Sequence, residues 1–171
     1  MVFLARKVMR KVAGDFSFVV VTDRDNLDTQ IGKTFKRCGV VKEKDPFHPG
    51  SAEKLREALR KNNLFTFTLI QKFRNDPGRE YPVLSERRDV IVIVDEAHRT
   101  QYEDLAANMR AALPNASFIA FTGTPLGKTG EWFGKTVSEY NFADAIADGS
   151  QGVYNLFLDR AISGEEVLHV A

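Results

Sequence analysis

The stretch VIVIVDEAHRT, residues 90–100, decides the fold. It begins with five apolar β-branched residues, Val90 to Val94, which are followed directly by Asp95 and Glu96. An apolar run without polar alternation predicts a strand that is buried on both faces, as in a parallel sheet covered by helices. Acidic side chains at the carboxyl end of such a strand lie where open α/β sheets bind their ligands.

The acid pair alone allows two interpretations. In the first, it is a Walker B box, in which Asp95 holds Mg²⁺ and Glu96 activates the water that attacks a phosphate. In the second, it is a solvated acidic turn at the end of a strand. Such pairs are common at strand ends, so the choice depends on the other strands of the chain.

The composition fits one globular domain. The chain has 171 residues, of which 43% are hydrophobic and 27% charged. Residues 1–44 carry ten Lys and Arg against five Asp and Glu, and residues 131–171 carry two against seven. A basic front that faces phosphates and ordinary helix-surface charge both explain this asymmetry, and its size favours the second.

Cysteine content and hydropathy indicate where the protein works. The single cysteine, Cys38, excludes an internal disulfide framework and fits a reducing compartment. No apolar stretch approaches the roughly 20 residues that span a bilayer. We therefore expect a cytoplasmic protein without a membrane partner.

Three further apolar strands are each followed by a polar turn. They are predicted at residues 16–21, 64–70 and 117–121, before the turns Thr22-Asp23-Arg24, Gln71-Lys72-Phe73 and Thr122-Gly123-Thr124-Pro125. Apolar residues at helical spacing predict four helices. Two cover residues 1–13 and 101–113, a third begins after a cap at Asp25 or Asn26, and a fourth begins after a cap at Ser51. Alternating strands and helices predict an α/β fold with a parallel sheet, whose four turns share one edge.

Three interpretations are less specific. Thr22 and Arg24 either hold a nucleic-acid phosphate or belong to an ordinary helix cap, and the local sequence favours the cap. The polar stretch of residues 74–89 predicts a mobile surface loop. His48 lies among turn residues with no second His or Cys nearby, so we interpret it as a loop residue and not as a metal ligand.

Taken in order, the strand-end turns resemble the first motor domain of superfamily 2 helicases and translocases. More closely, the chain resembles the restriction (R) subunit of type I restriction–modification enzymes, with Snf2-type translocases as the nearest alternative. The resemblance covers essentially the whole chain, and its most specific segments are TLIQKF (68–73), DEAHRTQY (95–102), FTGTPL (121–126) and DAIADG (144–149).

The resemblance implies a RecA-like parallel sheet sandwiched between helices, a P-loop NTPase fold that is incomplete here. Residues 1–150 would form most of the first motor domain, and residues 151–171 the start of a linker or the first strand of a second motor domain. ATP and Mg²⁺ would be the cofactors, with Asp95 bound to Mg²⁺ through water and Glu96 as catalytic base. Motor coupling is implied for His98, Thr122, Gly123 and Thr124.

The same resemblance implies double-stranded DNA as a partner, together with the modification and specificity subunits of a type I restriction complex. The DNA backbone would be contacted by Thr22, Arg24, Gln71 and Lys72.

One motif of the family is missing. No Walker A loop, G-x-x-x-x-G-K-S/T, occurs in the sequence. We therefore expect a fragment of an ATP-dependent type I site-specific deoxyribonuclease and DNA translocase, which is inactive as an isolated chain. A Snf2-like translocase fragment and a non-catalytic DNA-binding or interaction module remain alternatives.

Overall fold

Four parallel strands form the central sheet, in the order β2-β1-β3-β4. The strands are β1 (Ser17–Thr22), β2 (Phe65–Leu69), β3 (Val90–Asp95) and β4 (Ser117–Phe121). The computed structural model describes residues 1–41, 48–75, 78–95 and 102–122, together with residues 133, 136–138, 144 and 147. The four predicted strands are confirmed, and their observed bounds differ from the predicted ones by no more than a single residue at either end.

The helices lie on both faces of the sheet. They are α1 (Val2–Lys11), α2 (Asp25–Arg37), α3 (Ala52–Leu59) and α4 (Tyr102–Ala112), with a short 3-10 helix at Ile70–Phe73. Two separate clusters of buried side chains cover the two sheet faces, one with α1 and α2 and the other with α3 and α4. This arrangement confirms the α/β fold class. No helix in the described ranges is both long and apolar enough to cross a membrane.

Helices α2 and α3 begin in different ways. Ser51 caps α3, because its hydroxyl accepts a hydrogen bond from the Lys54 backbone N–H at 3.3 Å. The capping of α2 by Asp25 or Asn26 is a wrong prediction. The helix begins after Arg24 without a side-chain cap, and Asp25 already lies in its first turn, where a carboxylate interacts favourably with the helix dipole.

The apolar runs explain why both sheet faces are covered. Successive side chains of a strand point to opposite faces, so Phe18 and Val20 pack in one cluster while Val19 and Val21 pack in the other. Every residue of β1 is buried, as expected for a strand inside a parallel sheet. In β4, Ser117 is exposed and the other residues are half-buried.

Aromatic rings fill the cluster beneath α1 and α2. The ring of Phe65 stacks on Phe18 at 5.0 Å between centroids and meets the edge of Phe35 at 5.5 Å. Phe35 also contacts Phe67, edge-on, at 5.4 Å. These rings join α2 to the two neighbouring strands β1 and β2, so the cluster holds one half of the sheet together.

The stretch before β3 is more than a surface loop. Tyr81 and Leu84 are buried in the cluster beneath α3 and α4. The Leu84 N–H donates to the Ala112 carbonyl at 2.9 Å, and the Arg56 guanidinium lies over the Tyr81 ring at 5.1 Å. The prediction of a loop that merely covers the surface is therefore wrong for this part of residues 74–89.

Arg87 closes the amino edge of the sheet. Its Nε donates to Asp89 at 2.8 Å, and its Nη1 to the Ser17 hydroxyl at 2.9 Å and to the Asn62 amide oxygen at 2.6 Å. Its Nη2 donates to the Asp15 carbonyl at 2.6 Å. One guanidinium thus joins the starts of β1 and β3 to the segment before β2.

We expect Arg87→Met to lower the free energy of unfolding by about 2–4 kcal/mol, since several hydrogen bonds to one charged group are lost together. Urea denaturation measures the change. Arg88→Met is the matched control, because the Arg88 side chain is exposed. An equal effect of the two substitutions would show that the network adds nothing.

The hydrogen bond between Arg87 and Asp89 makes the stability of the protein depend on pH. The hydrogen bond from Arg87 lowers the pKa of Asp89 below its ordinary value of 3.8. When the pKa of a carboxyl is lower in the folded than in the unfolded chain, the carboxylate stabilises the fold above the unfolded-state pKa. This stabilisation is lost as the pH falls through the folded-state pKa. We therefore expect the difference in stability between wild type and Asp89→Asn to shrink as the pH falls below about 4.

Candidate functional site

The carboxyl ends of the strands form one row. Thr22 is paired with Leu69, Asp95 is paired with Phe121, and Val21 is paired with Val94. Adjacent strands are about 4.8 Å apart, so the carboxyl ends of β1, β2 and β3 lie within about 10 Å of each other. The prediction of one shared edge is confirmed for the four strand ends, while most of the turns after β3 and β4 lie outside the described residues.

Asp95 ends β3 and is half-buried. Burial lowers the pKa of the Met1 amino group, and the Asp95 carboxylate partly offsets this by raising it. The carboxylate therefore lies within electrostatic reach of the amino end of α1. A helix amino end carries partial positive charge and free N–H groups, so this edge brings a carboxylate oxygen near a helix end of the kind that attracts anions.

Asp95 and the amino end of α1 fit a magnesium–phosphate group. Mg²⁺ is usually held by one or two carboxylates, bound phosphate and several waters, and not by a cage of protein ligands. Within the described ranges, His, Cys, Asp and Glu side chains nowhere gather in groups of three or more. A carboxylate near a helix amino end is compatible with Mg²⁺ bound together with phosphate.

The structure describes only one of the other residues predicted for the nucleotide side. Thr122 follows β4 directly and is half-buried at the carboxyl edge, as predicted from the sequence. Glu96, His98, Gly123 and Thr124 lie outside the described residues, so their roles stay predictions.

Thr22 and Arg24 are placed very differently in the turn after β1. Thr22 is fully buried, and its hydroxyl donates to the Arg24 carbonyl at 3.4 Å. The Arg24 side chain is 62% exposed, and its Nε lies 3.6 Å from the Asp23 carboxylate. Thr22 thus shapes the turn, whereas Arg24 presents a positive charge to solvent.

Gln71 and Lys72 bind neighbouring segments of the protein. The Gln71 amide donates to the Asp23 carbonyl at 2.9 Å, and the Lys72 ammonium donates to the Pro49 carbonyl at 2.5 Å. Both side chains are half-buried. In the described structure they hold the turn after β1 and the segment before α3, and their contacts with DNA stay predictions.

The partner of His48 is not evident from the sequence. Its Nδ1 lies 2.9 Å from a carboxylate oxygen of Asp28, and its ring stacks on Phe67 at 5.2 Å between centroids. A Cβ at Gly32 would lie 3.0 Å from His48 Nε2, so the glycine makes room for the ring. Asp28 and Gly32 are one helical turn apart on α2, but this spacing does not indicate which residue covers them.

A parallel α/β sheet with an acid at the carboxyl end of an inner strand is an arrangement that nucleotide-binding α/β domains share. The sequence profile of the SWI2/SNF2 ATPase family matches residues 1–163. The chain belongs to this family.

Several relatives are named as endonuclease subunits of type I restriction enzymes. The chain is 40% identical over 153 residues to the type I restriction enzyme HindI endonuclease subunit of Haemophilus influenzae, a match that covers 78% of this chain and 14% of the relative. A provisionally named type I restriction enzyme MjaIXP endonuclease subunit of Methanocaldococcus jannaschii is 38% identical over 156 residues, which cover 87% of this chain and 15% of the relative.

A more distant relative agrees. The type I restriction enzyme SauCOLORF180P endonuclease subunit of Staphylococcus aureus is 26% identical over 180 residues, with 96% of this chain and 19% of the relative covered. The chain therefore spans 14% to 19% of the length of these three proteins.

Proposed function

We propose that this chain is the first RecA-like half of the ATP-driven DNA translocase motor in a type I restriction endonuclease subunit. Residues 1–150 form that half, and residues 151–171 begin the connection to a second motor domain. The observation that carries the proposal is the row of strand ends, which puts Asp95 one strand away from the turn that presents Arg24. The names of the relatives and the family match support it.

In the proposed motor, the carboxyl edge near β3 and α1 handles the nucleotide. Asp95 holds Mg²⁺ through water, and the amino end of α1 attracts phosphate. Glu96 orients and deprotonates the attacking water, while His98, Thr122, Gly123 and Thr124 respond to the nucleotide state. Bound Mg²⁺ supplies charge neutralisation for the transferred phosphoryl group.

The edge near β1 and β2 faces duplex DNA in this proposal. The exposed Arg24 contacts backbone phosphates, with the half-buried Gln71 and Lys72 beside it. The predicted DNA contact of Thr22 is replaced by a supporting role, because this buried residue shapes the turn that presents Arg24. Phosphate contacts give affinity without choice of sequence. That choice belongs to the specificity subunit, which acts with the modification subunit in a cytoplasmic complex, and the complete enzyme couples translocation to DNA cleavage.

A salt titration tests the DNA-facing surface. Fluorescence anisotropy of a labelled duplex gives the slope of log K against log salt concentration for the wild-type chain. We expect Arg24→Ala to reduce the magnitude of this slope by about 1, because one phosphate contact and its released counterion are lost. Affinity should fall to a similar extent for duplexes of different sequence.

Arg88→Ala serves as the control for this titration. It also removes one exposed positive charge. Arg88 lies beside Asp89, at the opposite edge of the sheet from Arg24. An unchanged slope for Arg24→Ala, or an equal change for Arg88→Ala, would contradict the assignment of Arg24. No salt-dependent duplex binding by the wild type would contradict DNA binding by this domain.

A second candidate function is DNA binding without catalysis. It is favoured by α1, whose cations Arg6, Lys7, Arg10 and Lys11 are exposed and form no ion pair within the described ranges. A helix face with this charge attracts a polyanion whether or not ATP is hydrolysed. Duplex binding by the intact subunit that ATP and Mg²⁺ leave unchanged would favour this candidate.

A further inference from the structure

The 3-10 helix Ile70–Phe73 is held by hydrogen bonds from side chains to backbone carbonyls on three sides. Gln71 donates to Asp23 in the turn after β1, and Lys72 donates to Pro49 in the segment before α3. From the third side, the Asn108 amide of α4 donates to the Phe73 carbonyl at 2.9 Å. This short helix therefore joins segments that are far apart in the sequence.

The contact with α4 is well enclosed. Phe73 is fully buried, and Met109, the residue after Asn108, lies in the same core cluster. Asn108 itself is half-buried, so its hydrogen bond is shielded from much of the solvent. A side-chain donor to a buried carbonyl fixes the position of the 3-10 helix along α4 more closely than apolar packing alone does.

This connection runs from α4, on the nucleotide side of the proposed motor, to the turn after β1, on its DNA side. Helix α4 is the first described element after Asp95, and its Met109 lies in the same buried cluster as Val94, the residue before Asp95. At the other end, Gln71 holds the carbonyl of Asp23, the residue before the exposed Arg24. Two hydrogen bonds of 2.9 Å thus join α4, through the 3-10 helix, to the turn that presents Arg24.

We propose that Asn108 is a positioning residue that couples the nucleotide side of the motor to its DNA side. It acts through Phe73 and Gln71 and touches neither ligand. This inference rests on the proposed function, since coupling requires that the motor binds both ATP and DNA. The strength of this coupling is a free energy, which is the amount by which bound ATP changes the affinity for DNA and bound DNA changes the affinity for ATP.

The test uses the intact endonuclease subunit that contains this chain. Asn108→Asp keeps the size of the side chain and removes the N–H donor. We expect it to lower the ratio of DNA-stimulated to basal ATP hydrolysis by about fivefold to tenfold, within the range for residues that modulate coupling from outside both sites. Basal hydrolysis should change by less than about twofold, because no nucleotide contact is removed.

A binding measurement gives the second readout. A non-hydrolysable ATP analogue with Mg²⁺ should change the duplex affinity of the wild type, and DNA should change the analogue affinity by the same factor. Asn108→Asp should reduce both changes together. A purely structural role would instead lower basal and stimulated rates in parallel, along with thermal stability.

Asn115→Asp is the matched control. The Asn115 amide also donates to a backbone carbonyl of another segment, that of Glu86 at 2.8 Å, on the side of the sheet away from Asp95. If Asn108→Asp does not fold, Asn108→Ala tests the same connection and should also lower the stimulation ratio.

Equal behaviour of the Asn108 and Asn115 variants, or a parallel loss of basal and stimulated rates, would overturn the inference while the proposed function stands. A wild-type subunit whose hydrolysis does not respond to DNA would overturn both. A selective loss of stimulation in the Asn108 variants supports the coupling role.

Discussion

The Glu96→Gln variant of the intact endonuclease subunit is expected to lose ATP hydrolysis and DNA translocation by about 10²- to 10⁴-fold, the usual contribution of a general base. ATP binding should persist, because the amide keeps the size of the side chain and removes only its ability to accept the proton of water. Steady-state hydrolysis, a triplex-displacement assay of translocation and nucleotide binding measure the three properties separately.

Two companion variants sharpen this result. Glu57→Gln, an exposed substitution of the same kind on α3, should leave all three properties unchanged. Asp95→Asn should also stop hydrolysis, but through weaker Mg²⁺-dependent nucleotide binding, because it removes the carboxylate at the end of β3. Continued translocation by Glu96→Gln would show that the base is another residue.

The largest effect on stability is expected for Phe65→Ala. The ring is fully buried, stacks on Phe18 and meets Phe35 edge-on. Its removal should cost about 3–5 kcal/mol in the free energy of unfolding, through lost transfer free energy and the cavity left behind. Chemical denaturation of the chain, followed by circular dichroism, measures the loss.

Phe65→Leu is the graded control for this substitution. It fills most of the space and should cost clearly less than the alanine variant. Leu64→Ala, one position earlier in the chain, should have a small effect because the Leu64 side chain is 37% exposed. Similar losses for the alanine variants at positions 64 and 65 would contradict the role of the aromatic cluster.

The strands were predictable because their sequences have few alternative structures. Runs such as FSFVVV (16–21) and VIVIV (90–94) are too apolar for one exposed face, so they predict the inner strands of a covered parallel sheet. The pairing register confirms that Asp95 and the turn after β1 meet at one edge. Sequence pattern sufficed here because burial on two faces leaves a strong signal.

The contacts of that edge could not be predicted in the same way. Gln71, Lys72 and Asn108 each donate to a backbone carbonyl, and a carbonyl is present in every residue of the chain. No residue type or spacing therefore indicates their partners. Tyr81 and Leu84 were missed for a related reason, since single apolar residues in a polar stretch have no period to detect.

The strand order also constrains how the chain folds. The central strand β1 pairs on one side with β2 and on the other with β3, which follows it only after α2, α3 and the long segment before Val90. Pairings between such distant segments require large loops to close and are slow to form. During synthesis, one edge of β1 stays without its partner until β3 has left the ribosome, and Asp95 arrives with the strand that completes this pairing.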